Sequence, residues 1–316
     1  MKQKQLLLSL ITGLLLVACG GDDESNPPPE TPVYTGLETE ATISASNAES
    51  LVRKMFGLGD AAIRLSTATD EEAVEPKPEP YNILIPLALT ETIERINTEN
   101  TIASDAAAKN LNIVTNCEDD LGLIDYTITI DDITGAFNGA MNYRDCLVAG
   151  FTLNGLADIS GDYDLANDTF LKINLDFSWF RGDSETVSYE AADKISVEFI
   201  DDSTTTTTLT DYVVTIDDLP VVKFEDYAIT VTQDESGKTL TLSGIFYHPT
   251  YGFVTLTTDG FLSFTADDIW PYFGQVNMNG DASSLRILLE DSERYTLWVD
   301  EDGDGEYETV DFVDWL

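Results

Sequence analysis

The feature that most constrains the fold is a change of period near Asn112, after which apolar residues recur at every second position. Such alternation indicates β-strands with one buried side and one solvent-facing side. Turn signals such as Asn138-Gly139 and Asn279-Gly280 separate the strands at hairpin distances. No segment between them is long enough for a helical crossover, so we predict an antiparallel meander over residues 112–316. The clearest strand is 169–180, in which one face carries Leu171, Ile173, Leu175, Phe177 and Trp179.

This pattern predicts roughly twelve to fourteen strands, a number that obliges a sheet to curve, to split into a sandwich, or to become barrel-like. Residues 37–111 have a helical period instead. Ser46-Asn47-Ala48-Glu49 has the form of a capping box, and a second helix is predicted from near Tyr81 to just before Asn100. Residues 67–80 form an acidic, proline-containing loop between the helices. The predicted fold class is therefore mainly β (α+β), with N-terminal helices packed on a large antiparallel sheet.

The first eighteen residues have the order of a secretion signal. Lys2 and Lys4 precede an apolar run over residues 6–17, which is too short to span a bilayer as a helix. The run ends in Leu16-Val17-Ala18-Cys19, which resembles the lipobox of bacterial lipoproteins. That resemblance implies cleavage before Cys19, a diacylglyceryl thioether on its sulfur and an acylated amino terminus, so the expected partner is a membrane. Residues 19–36 then read as an acidic, proline-rich tether.

Gly20-Gly21 comes directly after Cys19, where an aspartate, in that family, often signals retention in the inner membrane. The resemblance therefore favours the outer membrane over the inner one, although Asp22 and Asp23 lie close by. No later run approaches eighteen apolar residues, so the sequence predicts no transmembrane helix.

The charge of the chain limits its partners. The formal net charge is −42, and loss of Lys2 and Lys4 with the signal makes it −44. Such a surface repels nucleic acid, so we expect no nucleic-acid partner. It attracts divalent cations, and it also keeps an envelope protein soluble. With 43% hydrophobic residues the chain has enough apolar side chains for a packed core.

Three cysteines are divided between two roles. Cys19 is assigned to the lipid, which leaves Cys117 and Cys146 for each other. Thiols that meet in an oxidising compartment usually pair, so we predict a disulfide; a metal-binding or catalytic thiol is the alternative, although neither cysteine has a histidine nearby.

The strongest local motif is the segment from Asp300 to Asp311. Asp300, Asp302, Asp304 and Gly305 match D-x-D-x-D-G, the first half of a calcium loop. Two interpretations stay open, a structural Ca²⁺ site and an acidic hairpin turn, because a strand precedes the loop and no full helix comes after it. No other cofactor is predicted. The candidate ligands are Asp300, Asp302, Asp304, Glu306, Glu308 and Asp311.

Other chemistry has weaker signals. His248 is the only histidine, which excludes sites built on several imidazoles and leaves one candidate general base. A turn histidine flanked by aromatics is typical of a structural role. Paired carboxylates can serve a glycosidase, but 58 acidic residues make close pairs inevitable. The four tryptophans are expected in the core or at its rim.

The chain as a whole also resembles uncharacterised envelope proteins of Gram-negative bacteria. The resemblance rests on Tyr34-Thr35-Gly36, the two-cysteine segment, 243–254 and 300–305. It implies one continuous architecture and no known activity. We therefore expect a lipid-anchored cell-envelope protein with a non-catalytic binding or structural role. The alternatives are a carrier that encloses a hydrophobic ligand between helices and a curved sheet, and a carboxylate-based hydrolase.

Overall fold

The computed structural model describes residues 32–58, 80–99, 109–117, 121–148, 150–184, 188–201, 203–216, 220–234, 237–264, 270–291 and 293–315. The predicted signal 1–18, Cys19, the tether up to residue 31 and nearly all of the loop 67–80 lie outside these ranges. No helix in the described ranges is both long enough and apolar enough to cross a membrane.

Two helices precede fifteen strands in the described residues. The helices are α1 (Ala48–Met55) and α2 (Tyr81–Glu99). The strands are β1 (Lys109–Asn116), β2 (Leu123–Ile130), β3 (Ala136–Val148), β4 (Phe151–Asp164), β5 (Thr169–Asp183), β6 (Ser188–Asp201), β7 (Thr204–Ile216), β8 (Val222–Asp234), β9 (Gly237–His248), β10 (Gly252–Thr258), β11 (Leu262–Phe264), β12 (Gly274–Gly280), β13 (Ser283–Leu289), β14 (Arg294–Asp300) and β15 (Thr309–Asp314).

The strands form one antiparallel sheet in which spatial order follows chain order. β1 to β10 pair in sequence, β12 to β15 continue the path, and short β11 pairs beside β9. The prediction of a mainly β fold built as an antiparallel meander is confirmed. Strand number slightly exceeds the expected range because the β10–β12 connection contributes the additional short strand β11.

The sheet curves around both helices. α1 contacts β9 and β14, which are four places apart in the sheet. At roughly 4.8 Å per strand a flat sheet would hold these strands about 19 Å apart, beyond the reach of one helix. α2 contacts β3 and β5, and its Thr90 and Glu94 bond to Thr207 and Thr205 of β7.

Helix α2 is buried on nearly all sides. Of its described side chains only that of Glu91 is exposed, whereas Ile83, Ile85 and Ile93 are completely buried. The sequence predicted a helix packed on the sheet; its actual surroundings are those of a helix in the interior. The curvature of the sheet explains the difference, because strands cover the helix from several directions.

The start of α1 differs from the predicted capping box. The helix begins at Ala48 after Asn47, and no side chain caps its first turn. The Ser46 hydroxyl instead lies 2.9 Å from that of Ser44, and Asn47 bonds to Ser44 and Thr42. These contacts stabilise the turn before the helix, so the motif marks the right place but makes different bonds.

A row of irregular pairings crosses the sheet from β3 to β7. Tyr143, Gly155, Phe180, Ala191 and Val214 are register partners on five consecutive strands. A shift of register lies within a few residues of each. β7–β8 pairs without a shift, and a further shift lies between β8 and β9. β-Bulges bend a strand and increase its twist, so this row accounts for much of the curvature.

Because of two bulges in β5, the buried and exposed faces of strand 169–180 differ from the prediction. The extra residues lie near Leu171 and Ser178, so both ends of the strand are out of phase with its middle. Ile173, Leu175 and Phe177 point inward as predicted, but Leu171 is 44% exposed, and Phe170 and Phe180 are buried in place of Leu171 and Trp179.

The N-terminal strap, residues 34–45, lies across the ends of the C-terminal hairpins. Its backbone bonds to Pro249, to Phe253 and to Asp281, and the Ile43 amide donates to Ser283 Oγ at 2.7 Å. Gly280 leaves room for it, because a Cβ there would lie 2.1 Å from the Ala41 carbonyl oxygen. The strap carries Ala41 and Ile43 into the core.

The predicted disulfide between Cys117 and Cys146 is present. It joins the end of β1 to β3, with 5.4 Å between the two Cα atoms. Both cysteines are buried, so the bond fastens the edge strand of the sheet to its second neighbour.

Candidate functional site

The aspartate loop, residues 300–308, joins β14 to β15. Asp300 ends β14 and is only 3% exposed. Its carboxylate accepts hydrogen bonds from the amides of Gly303, at 2.7 Å, and Gly305, at 3.0 Å. Gly303 and Gly305 have φ of +73° and +89°, the left-handed region that glycine adopts without strain. The loop therefore turns tightly around the carboxylate of its first residue.

Four of the six predicted ligands come together in this loop. Asp300, Asp302, Asp304 and Glu308 each offer a carboxylate oxygen, and these oxygens lie within 4.8 Å of one another. Glu306 and Asp311 are not part of this group. Asp311 belongs to β15, opposite Leu297, because a strand comes after the loop where an EF-hand would continue as a helix.

Oxygen donors at this spacing suit a hard cation such as Ca²⁺. Amides of the loop bond to all four groups: besides the two that donate to Asp300, the amide of Asp304 donates to Asp302, that of Glu306 to Asp304, and that of Glu301 to Glu308. None of the four forms an ion pair with a basic side chain of the described residues. Their mutual repulsion in a chain of this charge favours a divalent cation between them.

The aspartate loop is also linked to the N-terminal region. The Ala45 amide, just before α1, donates to Glu301 Oε1 at 2.7 Å. This bond joins the loop to the turn that leads into the first helix.

His248 lies beside a serine but has the wrong tautomer for a general base. Its Nδ1 accepts from the amides of Thr250 and Tyr251, at 3.1 and 3.3 Å. The proton is therefore on Nε2, which lies 3.3 Å from Ser50 Oγ. A histidine that activates this serine as a general base would need an unprotonated Nε2 facing the hydroxyl. The ring is 3% exposed and stacks on Tyr251, so its role is to hold the β9–β10 turn.

Two of the four tryptophans belong to the core. Trp270 and Trp315 are completely buried and stack with ring centroids 3.9 Å apart. Phe56, directly after α1, and Tyr295 of β14 pack against Trp315. The cluster joins α1 to the C-terminal strands and offers no open platform for a sugar.

Several buried tyrosines place hydroxyl groups in the interior. The hydroxyls of Tyr143, Tyr189 and Tyr227 have no hydrogen-bond partner among the described residues. Burial raises the pKa of each phenol above its ordinary value. No sequence signal distinguished these residues from the other inward-facing aromatics.

Two pockets bear on the remaining alternatives. An apolar one between α1 and β7, lined by Lys54, Leu58 and Val214 among others, has a volume of about 10 Å³. The second is a groove of about 340 Å³ between the start of α1 and β15, with Glu49, Asp311 and Asp314 in its wall. The first is too small for an acyl chain and the second is acidic, so neither favours a hydrophobic-ligand carrier. No protein-family model, curated protein or solved structure matches the chain.

Proposed function

We propose that this chain is a lipid-anchored protein of the cell envelope with a non-catalytic binding or structural role. The observation that carries the proposal is the apolar run over residues 6–17, followed by Ala18 and Cys19. The N-terminal strap supports it, since it fastens the body immediately after the segment that would lead to the lipid. Several acyl chains on one cysteine hold a protein on a bilayer durably.

Mass spectrometry of the native protein tests the anchor. We expect an N-terminal peptide that begins at Cys19 and carries diacylglyceryl and acyl groups, with the protein in the outer-membrane fraction of a density gradient. The Cys19→Ala variant should remain uncleaved or become soluble. An unmodified Cys19 in wild type, or unchanged membrane association of the variant, refutes the anchor.

We further propose that the aspartate loop binds Ca²⁺ in a structural role, through Asp300, Asp302, Asp304 and Glu308. The convergence of four carboxylates within 4.8 Å supports this. Because no entering helix and no bidentate glutamate at the twelfth place complete the site, the dissociation constant should be on the order of 10⁻⁴ to 10⁻³ M. Binding to the folded state alone then raises stability with calcium concentration.

The calcium test compares variants of equal charge. We would melt the full chain, in detergent and at matched ionic strength, with calcium and with magnesium. Asp302→Asn/Asp304→Asn should abolish the calcium-specific rise in Tm. The control Asp158→Asn/Asp162→Asn removes two exposed carboxylates from β4 and should keep the rise. Equal calcium responses of the two variants would reduce the loop to an acidic turn.

A further inference from the structure

The outer strand β15 presents an open edge. In the described residues it pairs with β14 alone. The Trp315 amide donates to the Glu293 carbonyl, which places odd-numbered residues in the bonded pairs with β14. The backbone groups of Val310, Phe312 and Asp314 therefore point away from the sheet. Such a row of N–H and C=O groups is a template for another strand.

The side chains along this edge are not those that usually protect an edge strand from pairing with another strand. Phe312 is 76% exposed and Val310 39% exposed, and they share the outer face. Edges are commonly protected by lysine, proline or a bulge; here large apolar groups accompany the open backbone. An incoming strand would cover them with every second side chain.

The acidic groove beside α1, whose lining extends to Phe312 and Asp314 of the outer face, lies on the other face of the edge. Asp311 and Val313 lie on this face, opposite Leu297 and Tyr295. The groove of about 340 Å³ is bounded by Ala45 and Glu49 on the helix side. Asp311 forms no ion pair with a described basic residue, and Glu49 meets Arg53 only at 4.0 Å while staying 47% exposed. The groove is thus negative and accessible.

We propose that β15 is the docking edge for an extended segment of a partner protein in which cationic and apolar side chains alternate. The segment adds a strand beside β15 by backbone hydrogen bonding, as in β-augmentation. Lysine or arginine side chains enter the groove between Glu49 and Asp311, and apolar ones cover Val310 and Phe312. This inference goes beyond the lipid anchor and the calcium loop and depends on neither.

Charge argues against two other occupants of this edge, which are a second copy of β15 and segments of this same chain. A second copy of β15 would bring its own Asp311 and Asp314 to an edge that already carries these two carboxylates, and repulsion between like charges disfavours that approach. The chain's own segments 20–31 and 67–79 are acidic and contain several prolines, which lack the N–H that a ladder requires. The carboxylates therefore select against this chain and in favour of a basic partner.

The probe is a fluorescein-labelled peptide of six alternating lysine and valine residues, titrated into the full chain in non-ionic detergent with EDTA. A peptide of the same composition with lysines and valines in two blocks measures general attraction. We expect the alternating peptide to bind at least tenfold more tightly. Glu49→Gln/Asp311→Asn should weaken it about tenfold, several-fold for each carboxylate.

Two further variants separate edge pairing from general acidity. Phe312→Pro removes one outward N–H, a position where proline is tolerated in a strand, and should abolish the preference for the alternating peptide. The control Asp158→Asn/Asp162→Asn, with equal charge loss, should bind as wild type does. Equal binding of the two peptides, or equal weakening by the two double variants, would overturn the proposal, as would self-association through β15 without peptide.

Discussion

Loss of the Cys117–Cys146 disulfide should destabilise the protein by an amount that depends on the length of the loop that the bond closes. The two cysteines are 29 residues apart in the chain, and this separation is the length of the closed loop. Loop-closure entropy of the unfolded chain then gives about 3.6 kcal/mol at 25 °C. At about 2.1 cal/mol/K of unfolding entropy per residue, this lowers the Tm of a chain of this length by roughly 6 °C.

The assay is urea unfolding of three forms: oxidised wild type, wild type reduced in urea and refolded with reductant, and Cys117→Ala/Cys146→Ala. Reduction leaves no cavity, whereas the alanine variant adds one at two buried positions. The reduced form should therefore lose about 3.6 kcal/mol and the variant more. Reductant should leave the variant unchanged.

A second measurement locates the effect. β1 is an edge strand that pairs with β2 alone in the described residues, so its amides should exchange with solvent faster after reduction, and those of β5 by a smaller factor. The loop-closure reasoning fails if reduction lowers the free energy of unfolding by less than about 1 kcal/mol. It also fails if amide exchange becomes faster by the same factor in β1 and in β5.

Three other predictions concern the strap, the histidine and the tyrosines. Gly280→Ala places a Cβ against the Ala41 carbonyl oxygen and should cost about 2–4 kcal/mol in urea unfolding, from lost hydrogen bonds and disturbed core contacts; Asn279→Ala, at the neighbouring exposed position of the same strand, is the control, and equal losses would contradict the steric argument. His248→Phe keeps an aromatic ring on Tyr251 but removes the acceptor for two amides, so it should cost about 1–3 kcal/mol; an unchanged urea midpoint would contradict the assigned tautomer. Because burial raises the pKa of Tyr143 and Tyr227 in the folded state, stability should be constant below the unfolded pKa near 10 and fall as pH rises above it, by up to about 1.4 kcal/mol per unit for each tyrosine. Tyr143→Phe/Tyr227→Phe should flatten that fall in unfolding measured from pH 9 to 11, and an unchanged slope would refute the assignment.

The alternation of apolar residues was enough to predict the meander, since spacing reports directly which residues face a core. It could not predict the bulges. Asp145 and Asp226 adopt φ of 48° and 49° at the register shifts of β3 and β8, yet in sequence they are ordinary polar residues. The phase error at Leu171 and Trp179 has the same origin, because one extra residue moves all later side chains to the other face.

The candidate site was predictable only where its ligands depend on the local geometry of the loop. The carboxylates at the first, third, fifth and ninth places depend on local turn geometry, which D-x-D-x-D-G encodes. The twelfth place depends on the element after the loop, which is a strand, since β15 begins at Thr309. The N-terminal strap left no periodic signal, because its partners lie more than 200 residues away in the chain.

The strap also sets the order in which this protein can complete its fold. Neighbouring strands of the sheet are near neighbours in the chain, so hairpins can form one after another as a chain emerges with its amino end first. The strap has much more distant partners, since Tyr34 and Ile43 wait for residues 248 and 283, at separations of 214 and 240. The strap precedes every described helix and strand in the chain but is among the last of them to be fixed, and α1 completes its contacts only when β14 has formed. Anything that binds the amino-terminal region during synthesis delays the final closure while leaving most hairpins free to form.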